Sequence, residues 1–375
     1  MRAVKALCLF LALLLLPSRV PAASEESVSV SAEAAILIEA RSGRVLWERN
    51  ADARLPQAST TKIMTALLAI EAGGLDRTVT ISENAAGAEG SSLYLKAGET
   101  LPLRELVYGL MLQSGNDAAI AIAESVAGSV ASFVSRMNEK ARLLRLNATH
   151  FCNPNGLHDP DHYTSARDLA ALSAYAMQNE TFFEVVRTQY RAAEDCSTPR
   201  TFKNKNKLLW QYDGCCGLKT GYTKAAGKCL SFAAERKDML LIGVVLNAPK
   251  MWDDAKALFD YGFSSFEMRA LAEAGAPYTA NVLRGEKKTL PAAPKSGILY
   301  PIRSDGSETL STSVTFYETV TAPVFAGQQL GTIRVLLSDA PLLEVPIVAL
   351  ESVPRRTYGS VLAGVLRGAR SDSSA

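Results

Sequence analysis

An α/β layered domain followed by a small all-β domain is the architecture this sequence predicts. Three observations carry it. Apolar residues recur at helical spacing between residues 63 and 176, then in strand-like runs from Gly217, with one more helical pattern after Trp252. Beyond residue 263 only short apolar runs remain, parted by Gly, Pro, Ser and Asp. The chain has 375 residues, 48% hydrophobic and 21% charged, a globular balance too long for one small domain. The expected organisation is an export leader over 1–22, the α/β domain over 23–263, the β domain over 264–352 and a basic tail over 353–375.

The leader is read from Arg2 and Lys5, the unbroken apolar run Ala6–Leu16, and the small residues of Val20-Pro21-Ala22. Such a run is shorter than the roughly 20 residues that cross a bilayer. Cys8 lies inside the run and no cysteine follows closely, which argues against a lipoprotein signal. An uncleaved anchor is the alternative to export, and no later stretch is long enough to span.

The formal charge of +2 owes its sign to that leader, which holds three basic residues and no acid. The rest carries 37 basic against 38 acidic residues, which argues against a nucleic-acid binder held by phosphate neutralisation. Three histidines leave little for a multi-histidine metal centre. Cys152, Cys196, Cys215, Cys216 and Cys229 are odd in number and irregular in spacing, so they form neither a disulfide framework nor a zinc motif. They are expected as small buried residues, with one unassigned bridge allowed by export.

In chain order, Ala34–Glu39 and Arg44–Glu48 flank the turn Ala40-Arg41-Ser42-Gly43 and predict a hairpin. Ile63, Met64, Leu67, Leu68 and Ile70 predict a helix stopped by Gly73-Gly74. Further helices are expected over Leu103–Leu112, from Asp117 through Val126, over Phe133–Leu146, and over Ser165–Ala176 with Thr164 or Ser165 as cap. Leu218–Thr223, Lys228–Glu235 and Met239–Leu246 predict three strands, and Trp252–Phe263 a closing helix. Tyr278–Leu283, Gly297–Ile302, Thr309–Tyr317, Gly331–Leu337 and Glu344–Leu350 predict a sandwich or barrel. In the tail, Tyr358, Val361, Leu362, Val365 and Leu366 share one helical face among arginines, a pattern suited to a membrane surface. Gly359, Gly364 and Gly368 weaken that helix, and a frayed soluble tail is the alternative.

Three clusters carry chemistry. Ser59 and Lys62, three apart on a helix, share a face, so the amine is placed to take the hydroxyl proton and activate the serine without a histidine. A solvated helix face is the plain alternative. Ser114-Gly115-Asn116 stands between two apolar helix patterns, aimed at a cleft or simply capping a helix. Lys219-Thr220-Gly221 lies on an expected strand, where a cation beside a hydroxyl suits a carboxylate and Gly221 permits close backbone approach. An ordinary edge strand with a lysine is the alternative there.

Taken together and in this order, the clusters closely resemble those of the low-molecular-mass penicillin-binding proteins that are serine-type D-alanyl-D-alanine carboxypeptidases. The resemblance extends over Pro56–Glu71, Gly90–Glu124, Phe151–Leu157, Gly217–Thr223 and Ala322–Ala349, nearly the whole mature chain. It implies a β-lactamase/transpeptidase-like catalytic domain, an antiparallel sheet with a helical block, ahead of the β domain.

It further implies Ser59 as the acylated nucleophile, Lys62 as its proton acceptor and Ser114 as the group passing a proton to the leaving amine. Asn116 would hold the substrate backbone, Lys219 and Thr220, with Gly221, its terminal carboxylate. The backbone N–H groups of Ser59 and Tyr222 would form the oxyanion hole. Lys62 must then lose its proton near neutrality, helped by burial and by the charge of Lys219. The implied partners are the peptidoglycan stem pentapeptide and β-lactams, outside the cytoplasm and with no metal or organic cofactor. A β-lactamase, a D,D-endopeptidase and a non-catalytic penicillin-binding sensor are the competing readings. His158-Asp159-Pro160-Asp161-His162 superficially suggests metal ligands, but Pro160 prevents a helix that would align the two histidines, and a polar loop is expected. Cys215-Cys216 is expected to pack, with redox sensitivity as the alternative.

Overall fold

The first strand of the expected hairpin, Ala34–Glu39, is buried along its whole length, because it lies inside a five-stranded sheet. The computed structural model describes residues 28–194, 196–272, 278–295, 297–317 and 319–359. The expected leader, and the tail face from Val361 onward, lie outside them. Among the described residues no single helix is long and apolar enough to cross a membrane. The chain forms two compact units, one spanning Glu26–Glu267 and one containing the residues from Met268.

In the first unit the strand order is Val45–Arg49, Ala34–Glu39, Met239–Leu246, Gly227–Arg236, Cys215–Thr223, all neighbours antiparallel. The period-two alternation divides the sheet's side chains between two layers. Ile36, Ile38, Val244 and Leu246 join the core of the helical block. Leu37 and Leu241 point the other way, closing on Gly262 of the helix Met251–Ser265, where Phe259 meets Phe232 edge-on at 4.9 Å. The Cys215–Thr223 strand is the last in the sheet, so one of its edges is left for other parts of the chain.

The helical block contains Lys62–Glu71, Leu103–Leu112, Asn116–Ala127, Val130–Leu143, Ala166–Met177 and Glu180–Arg187. Ser165 is the cap of the fifth, accepting the Asp168 N–H at 3.1 Å. The fourth begins three residues before the expected Phe133, because Ser129 caps it through the Ser132 N–H. It ends at Leu143 rather than Leu146, just before Arg145 turns to a φ of 58°. Glu180–Arg187 was not anticipated, although its signals are present: Asn179 caps it and Phe182, Val185 and Val186 are its buried stripe.

The second unit is all β. Its six-stranded sheet runs Leu310–Phe316, Gln329–Leu337, Ala340–Ala349, Thr289–Pro294, Tyr278–Leu283, Val320–Thr321. Phe266–Ala272 pairs with Ile298–Arg303 in a second sheet, and Leu271 enters the same buried cluster as Val282, Ile333 and Ile347. All five expected strands are present. Three were missed: Phe266–Ala272, the two-residue Val320–Thr321, and Thr289–Pro294, whose two prolines hide it. Cys152, Cys215, Cys216 and Cys229 are free thiols, so no bridge joins any two of these four, and Cys216 and Cys229 are buried.

Candidate active site

The site begins at a tight turn. Ala58–Thr61 forms one turn of 3₁₀ helix, and Lys62 opens the α-helix that follows. In 3₁₀ winding positions three apart nearly eclipse, so Ser59 and Lys62 meet more directly than on a regular helix. Lys62 Nζ donates to Ser59 Oγ at 3.0 Å. Ala58, just before the serine, holds a φ of 48°, a left-handed conformation costly for a residue with a side chain. Neighbours hold it there. Thr61 Oγ1 donates to the Ala58 carbonyl at 2.8 Å, and Gly156, at a φ of 86°, lies so close that a Cβ on it would fall 2.0 Å from that oxygen.

Lys62 is fully buried, with two further acceptors: Asn116 Oδ1 at 2.8 Å and the Asn155 carbonyl. None of its three partners is a carboxylate. Burial drives the Lys62 amine well below the usual lysine range; the charges of Lys219 and Lys205 push the same way, and Asp117 opposes them.

Asn116 opens the helix Asn116–Ala127, and its amide nitrogen donates to the Glu89 carbonyl, which fixes Oδ1 toward Lys62. Ser114 is buried at a φ of 66° in the joint before that helix. It is not the cap, a position taken by Gly115. The buried Asp117 carboxylate accepts from Ser92 Oγ at 2.6 Å and from the Leu93 and Leu95 N–H groups at 2.8 and 3.2 Å, pinning the 92–95 segment beside this joint.

The edge strand Cys215–Thr223 closes the site. A Cβ on Gly221 would lie 3.0 Å from the Ser59 nitrogen and 3.1 Å from Ala58 Cβ, so a bare backbone lets the turn pack this tightly. Lys219, two residues earlier on the same face, is 1% exposed and donates to the Thr220 carbonyl at 3.1 Å. Burial first, then the Lys205 charge, lowers its amine to about 7. Thr220 is half-buried, and Tyr222, next after Gly221, is 65% exposed.

Direct contacts thus bring together Ser59, Lys62, Asn116 and Gly221, and Lys219 joins them through its field on Lys62. Ser114, Thr220 and Tyr222 are each within two residues of those contacts. The Asn155 carbonyl, Gly156 and Lys205 had no assigned role in the sequence reading. The turn signal Asn153-Pro154-Asn155-Gly156 marks a constrained loop, but not one that reaches Lys62. His158 is exposed and His162 buried, and no group of three metal-type ligands exists among the described residues.

A family model described as D-alanyl-D-alanine carboxypeptidase matches residues 20–250, and one described as the penicillin-binding protein 5 C-terminal domain matches 266–355. The chain is 34% identical over 344 residues to the D-alanyl-D-alanine carboxypeptidase DacF of Bacillus subtilis, covering 87% of each chain. The solved penicillin-binding protein 5 of Haemophilus influenzae superposes with a TM-score of 0.76 at 27% identity, over 88% of this chain and 100% of that one. A Streptomyces K15 DD-transpeptidase mutant superposes with a TM-score of 0.61 at 35% identity, over 63% and 98%. On the strength of this match and of the enclosed serine–lysine pair, the chain belongs to the D-alanyl-D-alanine carboxypeptidase family.

Proposed function

We propose that Ser59 is the nucleophile and that Lys62, as a neutral amine, is its base. One observation supports this above the others. A neutral amine has two N–H bonds and one lone pair. Asn116 Oδ1 and the Asn155 carbonyl only accept, so they take both N–H bonds, and the lone pair is left to face the Ser59 hydroxyl. The three contacts therefore suit a base as well as they suit an ammonium, and burial favours the base.

In this reading the serine oxygen attacks the carbonyl between the last two D-alanines as its proton passes to Lys62. The oxyanion is met by the N–H groups of Ser59 and Tyr222, each such donor typically worth about 10²–10³ in rate. The proton then moves through Ser114 to the departing D-alanine nitrogen, the peptide bond breaks, and water releases the shortened stem peptide from Ser59. Lys219 and Thr220, on a strand that Gly221 holds against the turn, receive the substrate's terminal carboxylate, and Asn116 its backbone. β-Lactams acylate the same oxygen. The expected leader and the extracytoplasmic substrate of the family support a reaction outside the cytoplasm, and the proposed location of the enzyme is secreted or peripheral on the outer face of the membrane. The proposed domain limits are 23–263 and 264–352.

The test is release of D-alanine from a stem pentapeptide by purified Ser24–Ala375, beside Ser59→Ala, read by mass spectrometry. Release by the first and none by the second supports the assignment. Drug labelling without release favours a sensor, and rapid turnover of a chromogenic cephalosporin favours a β-lactamase. Cleavage of cross-linked dimers in preference to pentapeptides favours an endopeptidase.

A further inference from the structure

His162 is 2% exposed and bonded at both ring nitrogens. The Cys152 N–H donates to Nδ1 at 3.0 Å, and Nε2 lies 2.7 Å from Thr61 Oγ1. Thr61 Oγ1 is in turn 2.8 Å from the Ala58 carbonyl oxygen. We infer that His162, acting through Thr61, is a positioning residue that orients the Ser59 N–H toward the developing oxyanion. The inference rests on the role proposed above for that N–H.

The direction of every proton in this chain follows from what each group is able to do. A backbone N–H only donates, so Nδ1 accepts and the single proton of the neutral ring is on Nε2. Nε2–H therefore donates to Thr61 Oγ1. The Ala58 carbonyl only accepts, so the Thr61 hydroxyl spends its own proton there. The relay runs one way, from the Cys152 backbone through His162 and Thr61 to the Ala58 oxygen. Phe151 meets the imidazole edge-on at 5.8 Å and holds its plane.

The end point separates this from an ordinary buried histidine. The Ala58 carbonyl and the Ser59 N–H belong to one planar peptide unit, so a bond that fixes the oxygen also fixes where the N–H points. That unit follows a residue at a φ of 48° and is crowded by Gly156, so it needs a restraint. A ring that gained a second proton would set Nδ1–H against the Cys152 N–H and break the relay at its source. Burial keeps the ring neutral, lowering it to about 4; Asp159 pulls upward, and His150, Lys62 and His158 push down. These are the titratable groups that act on it.

The experiment is stopped-flow acylation of the purified protein by a fluorescent penicillin, for wild type, Thr61→Val and Thr61→Ser, with ring-nitrogen NMR of His162 in the wild type. Thr61→Val removes both relay bonds and should lower the saturating acylation rate roughly 10- to 100-fold, with the dissociation constant of the unreacted complex within about threefold of wild type. Thr61→Ser keeps the hydroxyl and should restore the rate. The NMR signals should place the proton on Nε2 throughout the neutral range. Wild-type acylation by Thr61→Val, a loss confined to the dissociation constant, or a proton on Nδ1 overturns the relay alone. A wild type that forms no acyl-enzyme instead overturns the roles proposed for Ser59, and the relay's part in them falls with those roles. The NMR reading decides the relay even where Thr61→Val fails to fold.

Discussion

Lys62 Nζ lies 3.0 Å from Ser59 Oγ, and its two other contacts are with oxygens that only accept. That relationship makes deprotonation of Lys62 compatible with the contacts already present. The chemistry needs no rearrangement of the pair before substrate arrives.

Lys62→Arg separates charge from basicity. A guanidinium keeps the cation and its donors but does not lose a proton in proteins. Acylation by penicillin should fall about 10²- to 10⁴-fold, the usual worth of a positioned base. A charge-only role for Lys62 would leave the rate of Lys62→Arg within a few-fold of wild type.

Removing the Lys205 charge should move the pH dependence. That charge lowers both buried amines, Lys62 and Lys219. Acylation needs Lys62 neutral, so its acid limb falls where Lys62 gains a proton; carboxylate capture needs Lys219 charged, so the alkaline limb falls where Lys219 loses one. In Lys205→Met both amines hold their protons to higher pH, and both limbs of the profile should shift upward. A profile that stays in place, measured by acylation rate across pH, would contradict this coupling.

Two glycine substitutions should rank by clearance. A Cβ at Gly156 would lie 2.0 Å from a backbone oxygen and sit at a φ of 86°, whereas one at Gly221 meets its neighbours at 3.0–3.1 Å. Gly156→Ala should therefore cost about 1–3 kcal/mol of stability, visible as a lowered Tm. Gly221→Ala should keep most of the stability while slowing acylation roughly tenfold, because it displaces the Ser59 turn.

The buried pair Glu99–Arg200 offers a stability test away from the reacting atoms. Arg200 grips both carboxylate oxygens, and the side chains are 4% and 13% exposed. Burial raises the Glu99 carboxyl, but bonds from Arg200 and the Lys96 N–H outweigh it and leave the group below its ordinary range. Arg200→Leu strands that charge, and chemical denaturation should show a loss of about 3–5 kcal/mol.

Most of the catalytic unit was legible because its elements follow simple periods. Leu103–Leu112 reads straight from its apolar spacing, and the strands from Cys215 to Leu246 from theirs. Thr289–Pro294 was not, because Pro291 and Pro294 mask it and its Ala293 pairs with Val348, far away in sequence. The serine–lysine pairing was visible as a spacing of three. What surrounds it was not: the Asn155 carbonyl reaches Lys62 across 93 residues and His162 reaches Thr61 across 101, contacts that local sequence does not encode.

The central claim is that Lys62 is a neutral amine when the enzyme works. Its titration, followed through the ¹³Cε resonance of labelled lysine with Lys62→Arg to assign the signal, tests this directly. The account predicts a Lys62 signal already at its neutral-amine position at the pH of fastest acylation, while the exposed lysines remain charged. A Lys62 that is still an ammonium at that pH would contradict it.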